Sequence, residues 1–362
     1  MTMPVAVVGM DFREGPSSVR AQLKALDDSA ESPTGRLRQG GLCDGVARIE
    51  SCSRIEWVLS AKNASWAAEL LRSGLLKGLG DSGAGRRMHV KLSTGALHYL
   101  LRVTLGLESV AEGEHAIGRQ VLKGFEHAHA EGTTDRTLHL CWHALGRILQ
   151  ARKETGVGSS VGVQSLVVGE LKSVPKRADV LLLGRGEIGR QVLGALQRDG
   201  FEQVETFSRA ELGSFHDRAA TAAVVVVATG GPAPWLELAA RTDWPLVIDV
   251  GAPGQVLSAE GWRSLSLDAL LTRRGLTLDG EALATLNSLA DEGAEGLREA
   301  LESASGHHVL QALESEKRRF FEDDVEAMLA ELPAKEARRV AETLRGFTHR
   351  LLEVTRRASR VS

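Results

Sequence analysis

The sequence holds only three cysteines, Cys43, Cys52 and Cys141. They are too few and too scattered for a disulfide framework or a zinc site, so a reducing, cytoplasmic setting is the expectation. Long apolar runs are missing too. The longest, around Ala219 to Ala228, is about half of what a membrane-crossing helix needs, so no membrane association is expected. Met1-Thr2-Met3-Pro4-Val5 has no basic segment followed by an apolar core, and no secretory leader is expected. Neither sign of charge dominates: 44 Lys and Arg against 47 Asp and Glu leave −3, which does not advertise nucleic-acid binding but leaves a local basic face open. No metal cluster is visible, and haem feedback is legible from no single histidine. What is present is 362 residues of ordinary globular composition, long enough for two or three domains.

The most informative stretch is Val180-Leu181-Leu182-Leu183-Gly184-Arg185-Gly186-Glu187-Ile188-Gly189. Four apolar residues run into G-x-G-x-x-G, and Gln191 onward reads as a helix. Strand, glycine turn and helix in that order form the dinucleotide-binding fingerprint. Gly184 allows the tight turn, Gly186 lets a pyrophosphate approach the backbone, and Gly189 lets helix and strand pack closely. The N–H groups at the helix start face the phosphates. Further strands near 180–183, 204–207, 223–228 and 246–250, separated by helical segments, predict a parallel sheet. Ser208-Arg209 ends the second strand, about 20 residues past the glycines, where an acid would bind the ribose of NAD. An arginine there suits the 2′-phosphate of NADP, so NADPH is the expected cofactor. The competing reading makes Arg209 a solvated surface cation.

Before this domain, Val5–Val8 reads as a strand, Gly9 to Pro16 as a loop, and Ser17 as the cap of a helix. Asp28 to Gly41 reads as a variable loop. Residues 46–49 and 55–59 read as two strands with Ser51-Cys52-Ser53-Arg54 between them. Helices are predicted over 64–75, 94–105, 118–131 and 138–153, with Glu154-Thr155-Gly156-Val157-Gly158 closing this part. After about residue 266 the chain is helical by composition over 281–304, 308–331 and 334–358, punctuated by Gly306 and Pro333. Leu310, Leu313, Phe320, Phe321, Val325, Met328 and Leu329 give one helix an apolar stripe, for which dimerisation is the natural explanation. Residues 334–362 carry eight Lys and Arg against three Asp and Glu. That run reads as a solvated face or, alternatively, as a contact for RNA phosphates.

Several motifs in order resemble the glutamyl-tRNA reductase family. Gly45 to Glu56 looks like that family's strand ending in S/T-C-N-R-x-E, with Ser51, Cys52, Arg54 and Glu56 in place. Arg102-Val103, Gly106-Leu107-Glu108-Ser109, Gly113-Glu114 and Gln120-Val121 are similar to its R-V-x-x-G-L-D-S-x-x-x-G-E-P-Q segment and the residues that follow. Glu154-Thr155-Gly156-x-Gly158, with Ser165 and Glu170-Leu171, resembles the junction before its NADPH domain. Gly184-x-Gly186-Glu187 and Asp249-Val250-x-x-Pro253 resemble two further motifs.

The resemblance implies a multidomain α/β protein: an N-terminal α+β catalytic domain (1–158), a Rossmann-like NADPH-binding domain (159–275), and a linker helix with a helical dimerisation domain (276–362). It implies a homodimer that reduces glutamyl-tRNA(Glu) to glutamate-1-semialdehyde through a cysteine thioester, the first step of five-carbon tetrapyrrole synthesis. The aminomutase of the next step is a candidate partner. Cys52 matches the nucleophile. Ser51, Ser53, Arg54, Ser109, Glu114, His115, Ala116 and Gln120 match substrate-binding positions. Gly184, Arg185, Gly186, Glu187, Ile188, Gly189, Ser208 and Arg209 match cofactor-binding positions. The chemistry is consistent: a thiolate displaces the ester alcohol and leaves an acyl group that a hydride can reduce. A cation such as Arg54 would promote ionisation of Cys52. Cys43 and Cys141 are expected to be structural.

The departures from the pattern are specific. The family places a histidine three residues before the arginine matched by Arg102; here that position is Tyr99, with His98 beside it. One helical position is about 100° of rotation, so His98 is expected to point elsewhere. The N-H-[KR]-T-A-P loop becomes Asp11-Phe12-Arg13-Glu14-Gly15-Pro16. The Pro-Gln after Glu114 becomes His115-Ala116, where His115 either substitutes as a polar group or is a surface residue at a helix start. The asparagines next to Cys52 and Arg209 become Ser53 and Ser208. These changes leave two alternatives standing, a non-catalytic or regulatory paralogue and a reductase for another acyl or aminoacyl donor.

Overall fold

The computed structural model describes residues 3–80, 87–157, 162–272, 278–319, 325, 329 and 332–361, without the side chains of 305–314, 334, 351–352 and 355–361. The chain divides into two compact units, Met1–Ala294 and Glu295–Ser362.

The first unit opens with strand β1 (Val5–Asp11), helix α1 (Ser17–Asp27), helix α2 (Pro33–Gln39), strands β2 (Gly45–Glu50) and β3 (Arg54–Ser60), helix α3 (Ala64–Gly78) and strand β4 (His89–Leu92). The strands pair antiparallel in the order β2-β3-β1-β4. Alternate residues Ala6, Val8 and Met10 of β1 pack with Val19 and Leu23 of α1, Trp57 and Leu59 of β3, and Leu71 and Leu75 of α3. The buried Trp57 indole donates to Asp27 across 2.6 Å, so its polar atom is satisfied. Helices α4 (Ser93–Thr104), α5 (His115–Ala130) and α6 (Arg136–Thr155) follow. All seven residues of β1 are buried, because elements cover both faces of its sheet.

After α7 (Val163–Glu170) come β5 (Val180–Leu183), α8 (Glu187–Arg198), β6 (Val204–Phe207), α9 (Leu212–Ala219), β7 (Val224–Val227), β8 (Leu236–Glu237), β9 (Leu246–Asp249), β10 (Val256–Ser258), β11 (Arg263–Ser266) and α10 (Leu267–Thr272). Five strands form a parallel sheet in the order β11-β9-β7-β5-β6, and β8 pairs with β10. Val180, Leu182, Val224, Val226 and Ile248 form one buried face with Val192 and Leu196 of α8. Leu181, Leu183, Val225, Val227 and Val247 form the other with Phe215 and Trp262. Burial on both faces explains why these strands are uninterrupted apolar runs. The two halves of the unit meet where Phe12, Cys52 and Val110 pack against the first of these faces.

Helix α11 (Gly280–Arg319) is one element, so Gly306 does not interrupt it as expected. A single helical glycine costs about 1 kcal/mol, too little to break so long a helix. The second unit holds the end of α11 and helix α12 (Ala334–Val361), which starts after Pro333. The expected apolar stripe lies mostly outside the described side chains; Val325 is buried and Leu329 half-buried. Gly158 also lies outside the described residues.

Two further expectations change, and one strand appears that the sequence did not announce. The variable loop contains α2, started by Pro33 and by Ser32, whose hydroxyl accepts from the Gly35 amide at 3.1 Å. Ser17 is the first helical residue rather than the cap, which is Pro16. Strand β4 carries only four residues of mixed polarity, too short for a periodicity to register. Among the described residues no helix is long and apolar enough to cross a membrane.

Candidate functional site

Cys52 sits at the tip of the β2–β3 hairpin. The turn is closed by the Ser51 amide donating to the Arg54 carbonyl at 3.0 Å, and the Ser51 hydroxyl accepts from the Ser53 and Arg54 amides at 3.2 Å each. The Cys52 carbonyl accepts from Arg20 of α1 at 2.8 Å. Cys52 borders two cavities. One, of about 600 Å³, is lined by Cys52, Glu114, Ala116 and Gln120 on one side and by Gly186, Glu187 and Ile188 on the other. The second, of about 440 Å³, lies against α1 and is lined by Arg20, Lys24 and Ser51 as well as Cys52. The glycine loop and the cysteine, 132 or more residues apart in sequence, thus share one cavity wall to wall.

The thiol is not ionised by Arg54, as the sequence had suggested. Burial, followed by the Glu114 carboxylate, pushes it up to about 12, and Arg20 opposes this more than Arg54 does. Arg54 is spent elsewhere. Fully buried, it donates to Glu56 at 2.7 Å, to the Tyr99 hydroxyl at 3.2 Å and to the Glu108 carbonyl at 2.5 Å. Tyr99 in turn donates to Glu56 at 2.6 Å. Burial alone would raise Glu56, but Arg54, His89 and Tyr99 together hold it down at about 2. His89 of β4 lies 2.8 Å from Glu14 and 3.5 Å from Glu56. Burial would lower its pKa, yet the bonds to Glu14 and Glu56 hold it up at about 9. Ligand atoms of Asp11, Glu14 and His89 converge within 4.8 Å, but Asp11 is engaged by Arg13 and the imidazole is protonated at neutrality, so the trio is an ion-pair network. His98 points outward to Asp291 at 2.8 Å, and Tyr99 takes the inward position. Neither Glu14 nor His89 was singled out from sequence, since their meeting spans 75 positions.

Glu114 starts α5 without capping it, and its carboxylate makes no hydrogen bond among the described residues. Burial raises it to about 7, with Arg54 opposing. The loop before it is pinned by buried Arg152, which donates to the Leu105 carbonyl at 3.0 Å and to the Gly113 carbonyl. Gln120 and Ala116 line the cavity with Glu114, whereas His115 is exposed and borders neither cavity, as does buried Ser109. Ser53 is buried beneath the turn. Cys43 and Cys141 are buried, and burial raises their thiols to about 11 and 12.

Across the cavity, Gly184 has φ +124°, and a Cβ on Gly189 would lie 2.0 Å from the Gly184 carbonyl, so both positions demand glycine. Among the described residues nothing stands within 4 Å of a Cβ position on Gly186, which leaves the start of α8 open to a phosphate. Thr229, on the same wall, has a buried hydroxyl without a hydrogen-bond partner among the described residues. These features fit a dinucleotide. At the end of β6, the Ser208 amide and hydroxyl both donate to Glu211, at 2.8 and 2.6 Å, and Arg185 pairs with the same carboxylate at 3.0 Å. Arg209 lies over the Trp235 ring at 5.0 Å and makes no hydrogen bond among the described residues.

Residues 8–155 match the family described as glutamyl-tRNAGlu reductase, N-terminal domain. The chain is similar to the glutamyl-tRNA reductase of Rubrobacter xylanophilus, 26% identical over 285 residues that cover 70% of this chain and 66% of the relative. It is also 26% identical to that of Methanopyrus kandleri over a 391-residue alignment covering 96% of this chain and 92% of the relative. Against two other such relatives it spans 50% and 51% of their length. A solved glutamyl-tRNA reductase from Methanopyrus kandleri aligns over 99% of this chain and 97% of that chain, with 22% identity and a TM-score of 0.46.

Proposed function

Since this chain belongs, as a divergent member, to the glutamyl-tRNA reductase family, we propose that it reduces glutamyl-tRNA(Glu) to glutamate-1-semialdehyde with NADPH, through a thioester on Cys52. The observation that carries this reading is the cavity shared by Cys52 and the glycine loop. The Cys52 sulfur attacks the ester carbonyl and the ribose oxygen departs. Glu114, with a pKa of about 7 in the same cavity, accepts the thiol proton and returns it to the departing oxygen. Gly186, the start of α8 and Thr229 hold the pyrophosphate, and Arg209 reaches the 2′-phosphate. Bound NADPH supplies the hydride that reduces the acyl group. Cleavage of the carbon–sulfur bond then frees the aldehyde and leaves the Cys52 thiolate, which takes a proton from solvent to restore the thiol. In this reading residues 1–158 are the catalytic domain, 159–275 the NADPH-binding domain and 276–362 the linker and dimerisation domain of a cytoplasmic homodimer. The aminomutase that consumes the unstable aldehyde is the candidate partner.

Ala116 favours a second reading. It removes a polar side chain from the cavity wall, which suits a paralogue that takes another acyl or aminoacyl donor. Tyr99, in the inward position, and the altered loop at 11–16 fit a non-catalytic paralogue. Incubation with radiolabelled glutamyl-tRNA and NADPH decides among them. Labelled semialdehyde supports the first reading, turnover of another aminoacyl-tRNA alone the second, and NADPH binding without any turnover a regulatory role.

A further inference from the structure

The N-terminus of α1 is capped from an unexpected place. Pro16 offers no side-chain cap, and the Ser17 amide donates instead to Asp268 in the first turn of α10, at 2.9 and 3.0 Å to its two oxygens. The Ser17 hydroxyl donates to the same carboxylate at 2.8 Å. One helical turn on, Arg20 meets Asp268 at 3.5 Å. Arg20 is 5% exposed, and the nitrogen that meets Asp268 also donates to the Cys52 carbonyl at 2.8 Å. A continuous polar path therefore runs from the parallel-sheet half, through one carboxylate and one guanidinium, to the backbone of the cysteine. Beside it, Cys52, Phe12 and Val110 pack on the apolar face that also holds Ile188 and Ala228. A carboxylate on a helix N-terminus and a charge-assisted bond to a buried arginine are the stronger members of their classes.

We propose that Asp268 is a positioning residue: through Ser17 and Arg20 it docks the glycine-loop half onto the Cys52 turn, so that the thiol faces the cofactor site. This rests on Cys52 being the nucleophile and the glycine loop holding NADPH. Asp268 touches neither. Its loss separates two events, because the residues that would form the thioester lie in the N-terminal half, whereas hydride delivery needs both halves docked.

The test compares wild type, Asp268→Ala and Ser17→Ala, the last removing one donor to the carboxylate. The expected result for Asp268→Ala is a melting temperature lowered by only about 2–4 °C, as loss of one helix cap implies, cleavage of glutamyl-tRNA without NADPH within twofold of wild type, and NADPH oxidation slowed at least tenfold. Ser17→Ala shifts oxidation in the same direction by less. With no acyl donor, saturating NADPH protects Cys52 from N-ethylmaleimide at pH 9 in wild type and not in Asp268→Ala. Wild-type oxidation and protection in both variants overturn the proposal. So does a parallel loss of cleavage, oxidation and melting temperature, which marks a structural role. If wild type turns over no glutamyl-tRNA, the functional reading fails, yet the protection measurement still decides the docking.

Discussion

Arg54 donates to Glu56 across 2.7 Å with neither side chain exposed to solvent. The pair stands directly behind the Cys52 turn, and Tyr99 closes it with a bond to each partner. Two buried charges are tolerable only together, because either alone is left unsolvated. Replacing Glu56 by Ala is therefore expected to destabilise the protein by about 3–5 kcal/mol in urea unfolding. A change within about 0.5 kcal/mol, as for an ordinary surface site, would contradict the burial of this pair.

His89 carries the pH dependence of the same network. Its folded pKa is raised, to about 9, above its ordinary value of 6.5. The stabilisation it gives is fully present below pH 6.5 and is lost as pH rises through 9. A shift of this size is worth about 3 kcal/mol. Urea unfolding at pH 6 and pH 9.5 should show that loss in wild type, and His89→Gln should flatten it.

Glu114→Gln is expected to have opposite effects on two rates. Burial and then the Glu114 carboxylate hold the Cys52 thiol at about 12, so removing that charge favours the thiolate and speeds alkylation at pH 8 several-fold. The same change removes the group proposed to carry the proton, so cleavage of glutamyl-tRNA slows at least tenfold. A fall in both rates would show that Glu114 supports the turn rather than acting in the cavity.

In the proposed reading Arg209 meets the 2′-phosphate, since its neighbours Ser208 and Arg185 are already engaged by Glu211. Arg209→Ala should weaken NADPH at least tenfold, about 1.4 kcal/mol, and NADH less than twofold in fluorescence titrations. Equal losses would place the 2′-phosphate elsewhere.

What the sequence made legible was local. Val180–Leu183 is an apolar run feeding a glycine turn, and it is the strand of that range in the fold. The cysteine hairpin was legible from two strands flanking Ser51 to Arg54. What it hid was non-local. Asp268 and Ser17 lie 251 positions apart, and Glu14 meets His89 across 75. No spacing rule joins such pairs. Arg54 favours the Cys52 thiolate as expected, but burial and Glu114 outweigh it, because proximity in sequence says nothing of the partners a guanidinium finds once buried. Helix α2 was missed because its Pro, Gly and Ser content signals a loop, although Ser32 and Pro33 are where a helix start would put them. That His98 points away followed from the step of about 100° per helical residue.

In the proposed reaction Cys52 carries the acyl group between ester and aldehyde. The most direct test is mass spectrometry of the Cys52 peptide after acid quench of protein mixed with glutamyl-tRNA while NADPH is withheld. A glutamyl adduct on Cys52 that disappears on adding NADPH is expected, with none in Cys52→Ser. Aldehyde formed by Cys52→Ser at the wild-type rate, or an adduct on another residue, would contradict this reaction.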